Sequence, residues 1–211
     1  MELKDKHIVV TGGKGALGHA LVALLEERGA TVRVADLPGI DLLDEPAVTA
    51  FYAQGPPLWA SIQVAGGFAM SPLTDTTLAA YRAMLDMNVT TCFLACREAV
   101  RAIRKGGGGR IVNVAARAAL EPPGGMAGYV TAKAAVVALT RAIAAETLRD
   151  GILVNAVAPS IIDTPRNRAD IPKADFAKWP KPQEVAEAIA WLVSPRNTLT
   201  SGTVLPVYGK A

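Results

Sequence analysis

The sequence predicts an α/β fold: a three-layer, doubly wound parallel sheet of about seven strands, shortened near the third, in one domain covering residues 1–211. Three observations predict it. Short β-branched runs alternate with longer helical patterns, and repeated strand–helix–strand order requires parallel strands joined by right-handed crossovers. The strand runs are almost continuously apolar, as sheets covered on both faces require. A glycine cluster, TGGKGALG (11–18), lies at the junction of the first strand and the first helix.

The elements follow in order. HIVVTG (7–12) reads as a strand, and ALGHALVALLEERG (16–29) as a helix with Leu17, Leu21, Leu24 and Leu25 on one stripe. Gly29 ends that helix, as glycine at a helix C-terminus does. TVRVAD (31–36) is the second strand, and GIDLLD (39–44) is a short piece where a further strand belongs. Only Leu37-Pro38-Gly39-Ile40 separates Asp36 from Asp41, too few residues for a crossover helix. Either that strand is short and reached by a tight turn, or the sheet is reduced at this edge. EPAVTAFYAQ (45–54) reads as a helix with proline in its first turn, and WASIQVAGG (59–67) as a strand. Residues 77–105 are helical in two parts, stopped by GGGG at 106–109. RIVNVAA (110–116), ILVNAVAP (152–159) and SGTVLPVYG (201–209) read as strands, and 126–149 and 182–193 as helices.

Composition bounds the function. Hydrophobic residues make up 51% and charged residues 19%, the balance of a soluble globular chain. The net charge of +3 is spread along the chain, so no nucleic-acid footprint appears. Cys92 and Cys96 stand one helical turn apart in an apolar stretch and read as structural thiols. A metal site needs more ligands than these and the two histidines, His7 and His19, provide, so none is expected. Two cysteines, an N-terminal apolar run too short for a signal-peptide core, and no uninterrupted apolar run of about 18 residues predict a cytoplasmic protein without a membrane span.

Glycines at the strand–helix junction allow a tight turn and let backbone amides approach a pyrophosphate, beside the partial positive charge of a helix N-terminus. Gly12, Lys14, Gly15, Ala16, Leu17 and Gly18 are the candidates for that contact. The loop is not a P-loop, because no Ser or Thr follows Lys14. Asp36, eighteen residues beyond Gly18, can accept hydrogen bonds from both ribose hydroxyls of an adenosine and would repel a 2′-phosphate. That favours NAD(H); Lys14 pulls toward NADP(H), which stays possible. The plainer reading of Asp36 is a cap on the turn before Pro38-Gly39.

Together these residues resemble the short-chain dehydrogenase/reductase family, over nearly the whole chain from Thr11 to Gly209. TGGKGALG looks like its glycine motif. VAGG (64–67) stands at its Asn-Asn-Ala-Gly turn, where Ala65 and Gly66 match and the Asn pair does not. MNVTTCF carries Asn88 at the family's catalytic asparagine, YVTAK (129–133) matches Tyr-x-x-x-Lys, and PSIIDTP (159–165) resembles the loop that holds the nicotinamide end, with Ser160 in place of glycine. The resemblance implies a Rossmann fold binding a nicotinamide dinucleotide at the carboxyl ends of the strands, with Tyr129 exchanging the proton, Lys133 gripping ribose and Asn88 supporting a water relay. It adds Leu37, Asp41 and Leu42 near the adenosine, and Gly67, Val114, Pro159, Ser160, Ile162 and Thr164 along the cofactor. It also implies a homodimer or homotetramer through helices 89–105 and 126–149, whose apolar residues include Phe93, Leu94, Val136, Val137 and Leu139. Physics supports the Tyr–Lys pair independently: residues i and i+4 share a helix face, and an adjacent ammonium should lower a phenol pKa from near 10.

One departure carries weight. The family places a serine about thirteen residues before the tyrosine; here that position is Ala116, and neither Ala115 nor Arg117 supplies a hydroxyl. GMAGYVTAKAAV, with ARAAL and VAGGF, looks most like the dihydropteridine-reductase branch, which also lacks the serine. The expected function is NAD(P)H-dependent hydride transfer to a carbonyl or a quinonoid pterin-like acceptor, or from an alcohol. The alternative is a catalytically weak dinucleotide-binding sensor or scaffold. Substrate candidates are Ala116, Arg117, Phe68 and Arg166. Residues 160–181 read either as a substrate-covering lid or as an ordinary surface loop, in which Arg166, Asn167, Arg168, Phe176 and Trp179 could reach a planar or acidic substrate.

Overall fold

A computed structural model describes residues 2–210. Six strands, β1 (His7–Thr11), β2 (Thr31–Ala35), β3 (Ala60–Gln63), β4 (Gly109–Val114), β5 (Ile152–Pro159) and β6 (Val204–Val207), form one sheet in the order β2-β1-β3-β4-β5-β6. Every pairing is parallel. Seven α-helices accompany it: α1 (Ala16–Glu27), α2 (Glu45–Ala53), α3 (Leu78–Leu85), α4 (Thr91–Arg104), α5 (Ala127–Thr147), α6 (Pro165–Asp170) and α7 (Pro182–Val193).

Strand side chains alternate between two cores, which explains why the strands read as continuous apolar runs. Ile8, Val10, Ile62, Val112 and Val157 meet Leu17, Leu21 and Leu25 of α1 and Val185, Ile189 and Leu192 of α7. Val9, Ile111, Val154 and Ala156 face the opposite way, toward α2, α4 and α5. Helix α5 packs on β5 and against α3. Among the described residues it contributes the one stretch, Ala127–Asp150, long and apolar enough to cross a membrane by length and composition. Within the fold that helix is a core element.

Among the described residues the expected count of about seven strands becomes six. The missing one is the 39–44 piece, which folds as consecutive turns: the Asp36 carbonyl accepts from Gly39 N and Ile40 N, and the Asp41 carboxylate accepts from Leu43 N. Asp44 then caps α2 by accepting from Ala47 N at 3.1 Å. Of the two possibilities left open by the sequence, the sheet is reduced at this edge, and β2 is its last strand.

Candidate functional site

The carboxyl ends of the strands bring the glycine loop, the Asp36 turn, the 64–68 segment, the residues after β4 and the N-terminal turns of α5 to one edge of the sheet. The glycine loop is shaped by sterics. Gly12 has φ +69°, and a Cβ there would lie 2.6 Å from Ala65 N; a Cβ on Gly18 would lie 2.1 Å from the Gly12 carbonyl oxygen. Only glycine fits either place. Gly15 differs: a Cβ there would meet only the Gly12 oxygen, at 3.5 Å, so the space above it is free of protein. Gly15 is also the residue before α1, whose N-terminus has no side-chain cap and no acid in its first turn. Open amides at a helix start beside unfilled space fit a pyrophosphate. Leu17 faces the core, so only its backbone is available to a ligand.

Asp36 sits at the end of β2 and accepts from Lys14 N at 2.9 Å and Leu37 N at 2.8 Å, one bond per carboxylate oxygen. Each oxygen keeps a second lone-pair direction for a ribose hydroxyl. Lys14 Nζ donates to the Leu37 carbonyl at 2.8 Å, which ties the cation to the same turn. Leu37 is exposed and Leu42 buried.

Asn88 lies in a π-helical turn, Asp86–Thr90, between α3 and α4. Such turns frequently mark functional sites. Asn88 is 1% exposed; its Nδ2 donates to the Gly67 carbonyl at 3.1 Å and the Met84 carbonyl at 3.0 Å, and its Oδ1 accepts from Gly67 N at 3.2 Å. Its side chain therefore clamps the segment after β3. Gly66 is pressed between Asn88 and Lys133: a Cβ there would lie 2.6 Å from Asn88 Oδ1 and 3.3 Å from Lys133 Nζ.

Lys133 is buried, and its Nζ donates to the Val114 carbonyl at 2.9 Å. Burial pulls its pKa down to about 8. Tyr129, one turn earlier on α5, has its ring centroid 5.9 Å from Lys133 Nζ. Burial pushes its phenol up to about 12. The cause is burial: the phenol is withdrawn from water, which penalises phenolate.

Ala116 is buried and, with Ala115, brings only methyl groups to the position of the absent serine. Arg117 forms an ion pair with Glu121 at 2.8 Å and lies 4.7 Å over the Tyr208 ring. Beyond β5, Ser160 Oγ donates to the Tyr208 carbonyl at 2.8 Å. Thr164 caps α6 by accepting from Asn167 N, and the Ile162 carbonyl accepts from Asn167 Nδ2.

Several expectations need correction. Arg166 has an 88% exposed side chain and reaches only Asp170, at 3.8 Å. Arg168 grips Asp163 with two hydrogen bonds and covers the Phe176 ring, while Trp179 is buried against Phe176. These residues build the 160–181 segment itself. On the proposed oligomer helices, Leu94, Val136 and Val137 lie in the monomer core; Phe93 is exposed and Leu139 partly buried. The sequence reading missed Tyr208 and the methionines beside Tyr129, Met70, Met84 and Met126. No motif marks them, since their placement depends on contacts between distant segments.

Residues 45–209 match a family model described as enoyl-(acyl carrier protein) reductase. The chain is 32% identical to the cis-4-hydroxycyclohexanecarboxylate dehydrogenase of Sinomonas cyclohexanicum, covering 97% of this chain and 96% of that protein. It is also 32% identical to the 2,5-dichloro-2,5-cyclohexadiene-1,4-diol dehydrogenase of Sphingobium indicum, covering 99% and 97%. These alignments run over 238 and 245 positions against 211 residues here, so the relatives carry segments this chain lacks. A short-chain type dehydrogenase/reductase from Mycobacterium ulcerans has the same fold, with a TM-score of 0.94 at 23% identity, covering 100% of this chain and 90% of that one. With a family model over most of its length and such relatives from end to end, the chain belongs to the short-chain dehydrogenase/reductase family of nicotinamide-dependent oxidoreductases.

Proposed function

We propose that this protein interconverts a secondary carbocyclic alcohol and its ketone, with NAD(H) as redox partner and Tyr129 as proton donor and acceptor. The carrying observation is the placement of Tyr129 and Lys133 on one face of α5, beside the Asn88-clamped Gly66–Gly67 backbone and at the same sheet edge as the uncapped start of α1. The names of the two relatives, which act on six-membered carbocycles, support the substrate class.

A bound dinucleotide supplies the hydride donor or acceptor. The amides at the start of α1 hold its pyrophosphate, Asp36 its adenosine ribose, and Lys133 its second ribose. Asp36 makes NAD(H) the favoured partner over NADP(H). Tyr129 holds the proton that the carbonyl oxygen needs when the ketone is reduced. With that phenol at about 12, the protonated form dominates at neutral pH, which favours reduction. Alcohol oxidation needs the phenolate, so its rate should climb with pH by up to about tenfold per unit until the phenol titrates. Buried thiols at Cys92 and Cys96 suit a reducing cytoplasm, and Phe93 on α4 suits assembly through α4 and α5.

Turnover assays with cyclohexanone, cyclohexanol and a quinonoid dihydropteridine test the reading. The pterin is the acceptor for which the absent serine would matter least. Tyr129→Phe should leave NADH affinity within about twofold while turnover falls about 10²- to 10⁴-fold. Full activity in that variant would refute the proton donor. Tight NADH binding without turnover on any acceptor would favour a sensor or scaffold.

A further inference from the structure

The loop after β3 ends in a contact that none of the family motifs explains. Asn88 fixes both the N–H and the carbonyl of Gly67. Ser71 N donates to the Gly125 carbonyl at 2.9 Å, which ties the far end of the loop to the segment that enters α5. Between these anchors stands Phe68. Its ring is perpendicular to Tyr129, with centroids 4.9 Å apart and an interplanar angle of 89°, within the favoured range for edge-to-face aromatic pairs. Yet Phe68 is still 54% exposed and Met70 61% exposed. A cleft beside them is lined by Met70, Tyr81, Met84, Met126 and Tyr129. Thioethers of this kind adapt to irregular apolar shapes and pack well on rings.

We infer that Phe68 is a positioning and specificity-determining residue: one part of its ring holds Tyr129 in place, and the exposed part forms the apolar wall against which the substrate's saturated carbocycle packs. The inference rests on the proposed dehydrogenase reading. Away from the reacting carbon, a carbocycle presents only C–H bonds, so it gains from a wall of aromatic surface. A small acyclic alcohol covers little of that wall and gains little from it. Asn88 then acts on the reaction partly through Phe68, because the amide that clamps Gly67 sets where the next residue stands.

Phe68→Ala and Phe68→Leu, assayed with cyclohexanol and 2-propanol, test the wall. Hydrophobic pockets discriminate by about tenfold or more per methylene, so Phe68→Ala should lower kcat/KM for cyclohexanol at least about tenfold, and for 2-propanol less than about threefold. Phe68→Leu should fall between wild type and Phe68→Ala on the ring. Equal losses on both alcohols, or none on either, would overturn the specificity role. The positioning role is read without turnover: the ultraviolet titration of the Tyr129 phenol, isolated by subtracting Tyr129→Phe, should move to lower pH in Phe68→Ala as water reaches the hydroxyl. An unmoved transition would overturn it. If the wild type oxidises 2-propanol and spares cyclohexanol, the carbocycle assignment fails while the dehydrogenase reading survives. If it oxidises neither, both fail, and the titration alone judges the packing.

Discussion

The two halves of the candidate site are built by different means. The half that runs from the glycine loop to the Asp36 turn is made of backbone geometry: Gly12, Gly15 and Gly18 work through the side chains they lack, and Asp36 is held by the N–H groups of Lys14 and Leu37. The half around Tyr129 is made of side chains from three segments far apart in the chain, two of which also hold backbone carbonyls. Asn88 reaches Gly67, Lys133 reaches Val114, and Phe68 leans on Tyr129. The first half is a shape; the second is a network. A shape fails when an atom is added, and a network fails when one is removed or its burial changes.

Adding atoms gives the largest expected effect. In Gly18→Ala the new methyl would stand 2.1 Å from the Gly12 oxygen and 2.6 Å from Gly13 Cα, both backbone. Overpacking of that kind costs about 1–3 kcal/mol, so the melting temperature should drop by several degrees, about 2–4 °C per kcal/mol, along with dinucleotide affinity. Gly15→Ala sharpens the point: with room inside the protein, it should melt as the wild type does yet bind NADH at least about tenfold more weakly, because the methyl intrudes where the pyrophosphate approaches. Unchanged affinity in Gly15→Ala would mean that no ligand comes close to this loop.

Removing a buried charge gives a smaller effect with a defined sign. Lys133 binds a proton less readily in the folded state, at about 8, than its ordinary 10.5. Between those values the unfolded chain holds more protons, so stability rises with pH across that window, and below it the whole penalty is present. The shift corresponds to about 3 kcal/mol, from which losing the bond to Val114 subtracts about 1 kcal/mol or more. Lys133→Met should therefore stabilise the dinucleotide-free protein at pH 7 by about 1–2 kcal/mol while destroying activity, and the gain should vanish above the window. Thermal melts at pH 7 and pH 11 check it; a loss of stability at pH 7 would show that the ammonium is stabilised where it lies.

The smallest effect belongs to Asp36→Asn. It keeps an acceptor for the turn and removes the charge, so the preference for NAD(H) over NADP(H), read as a ratio of Kd values, should fall by about tenfold, or ~1.4 kcal/mol. A ratio that does not move would assign Asp36 to the turn alone.

Much of this was legible in the sequence, for physical reasons. The six clear strands and the helices between them follow from periodicity and from their glycine and proline boundaries. The crowding at Gly12 and Gly18 follows from a turn that must enter a helix at once. The spacing of Tyr129 and Lys133 follows from the helical repeat. What was not legible depends on contacts across the chain. Nothing local announces that DMNVT (86–90) widens into a π-helical turn that aims Asn88 at Gly67. Nothing local says that Tyr129 is buried enough for its phenol to rise, or that Arg168 and Trp179 are consumed in building their own segment. The short stretch after Asp36 did announce a missing crossover, but only the hydrogen bonds of residues 36–44 show that the sheet ends at β2.

By itself, the sequence determined the order of elements, the parallel sheet, the glycine turn before α1 and the spacing that puts Tyr129 and Lys133 on one helix face. These depend on backbone sterics and on repeats of two and 3.6 residues, which act over a few neighbours. Tertiary structure alone decided which of those groups are dry, which face one another and which point elsewhere. Desolvation and packing are properties of everything that surrounds an atom, and most of what surrounds Tyr129, Lys133 and Asn88 comes from other parts of the chain.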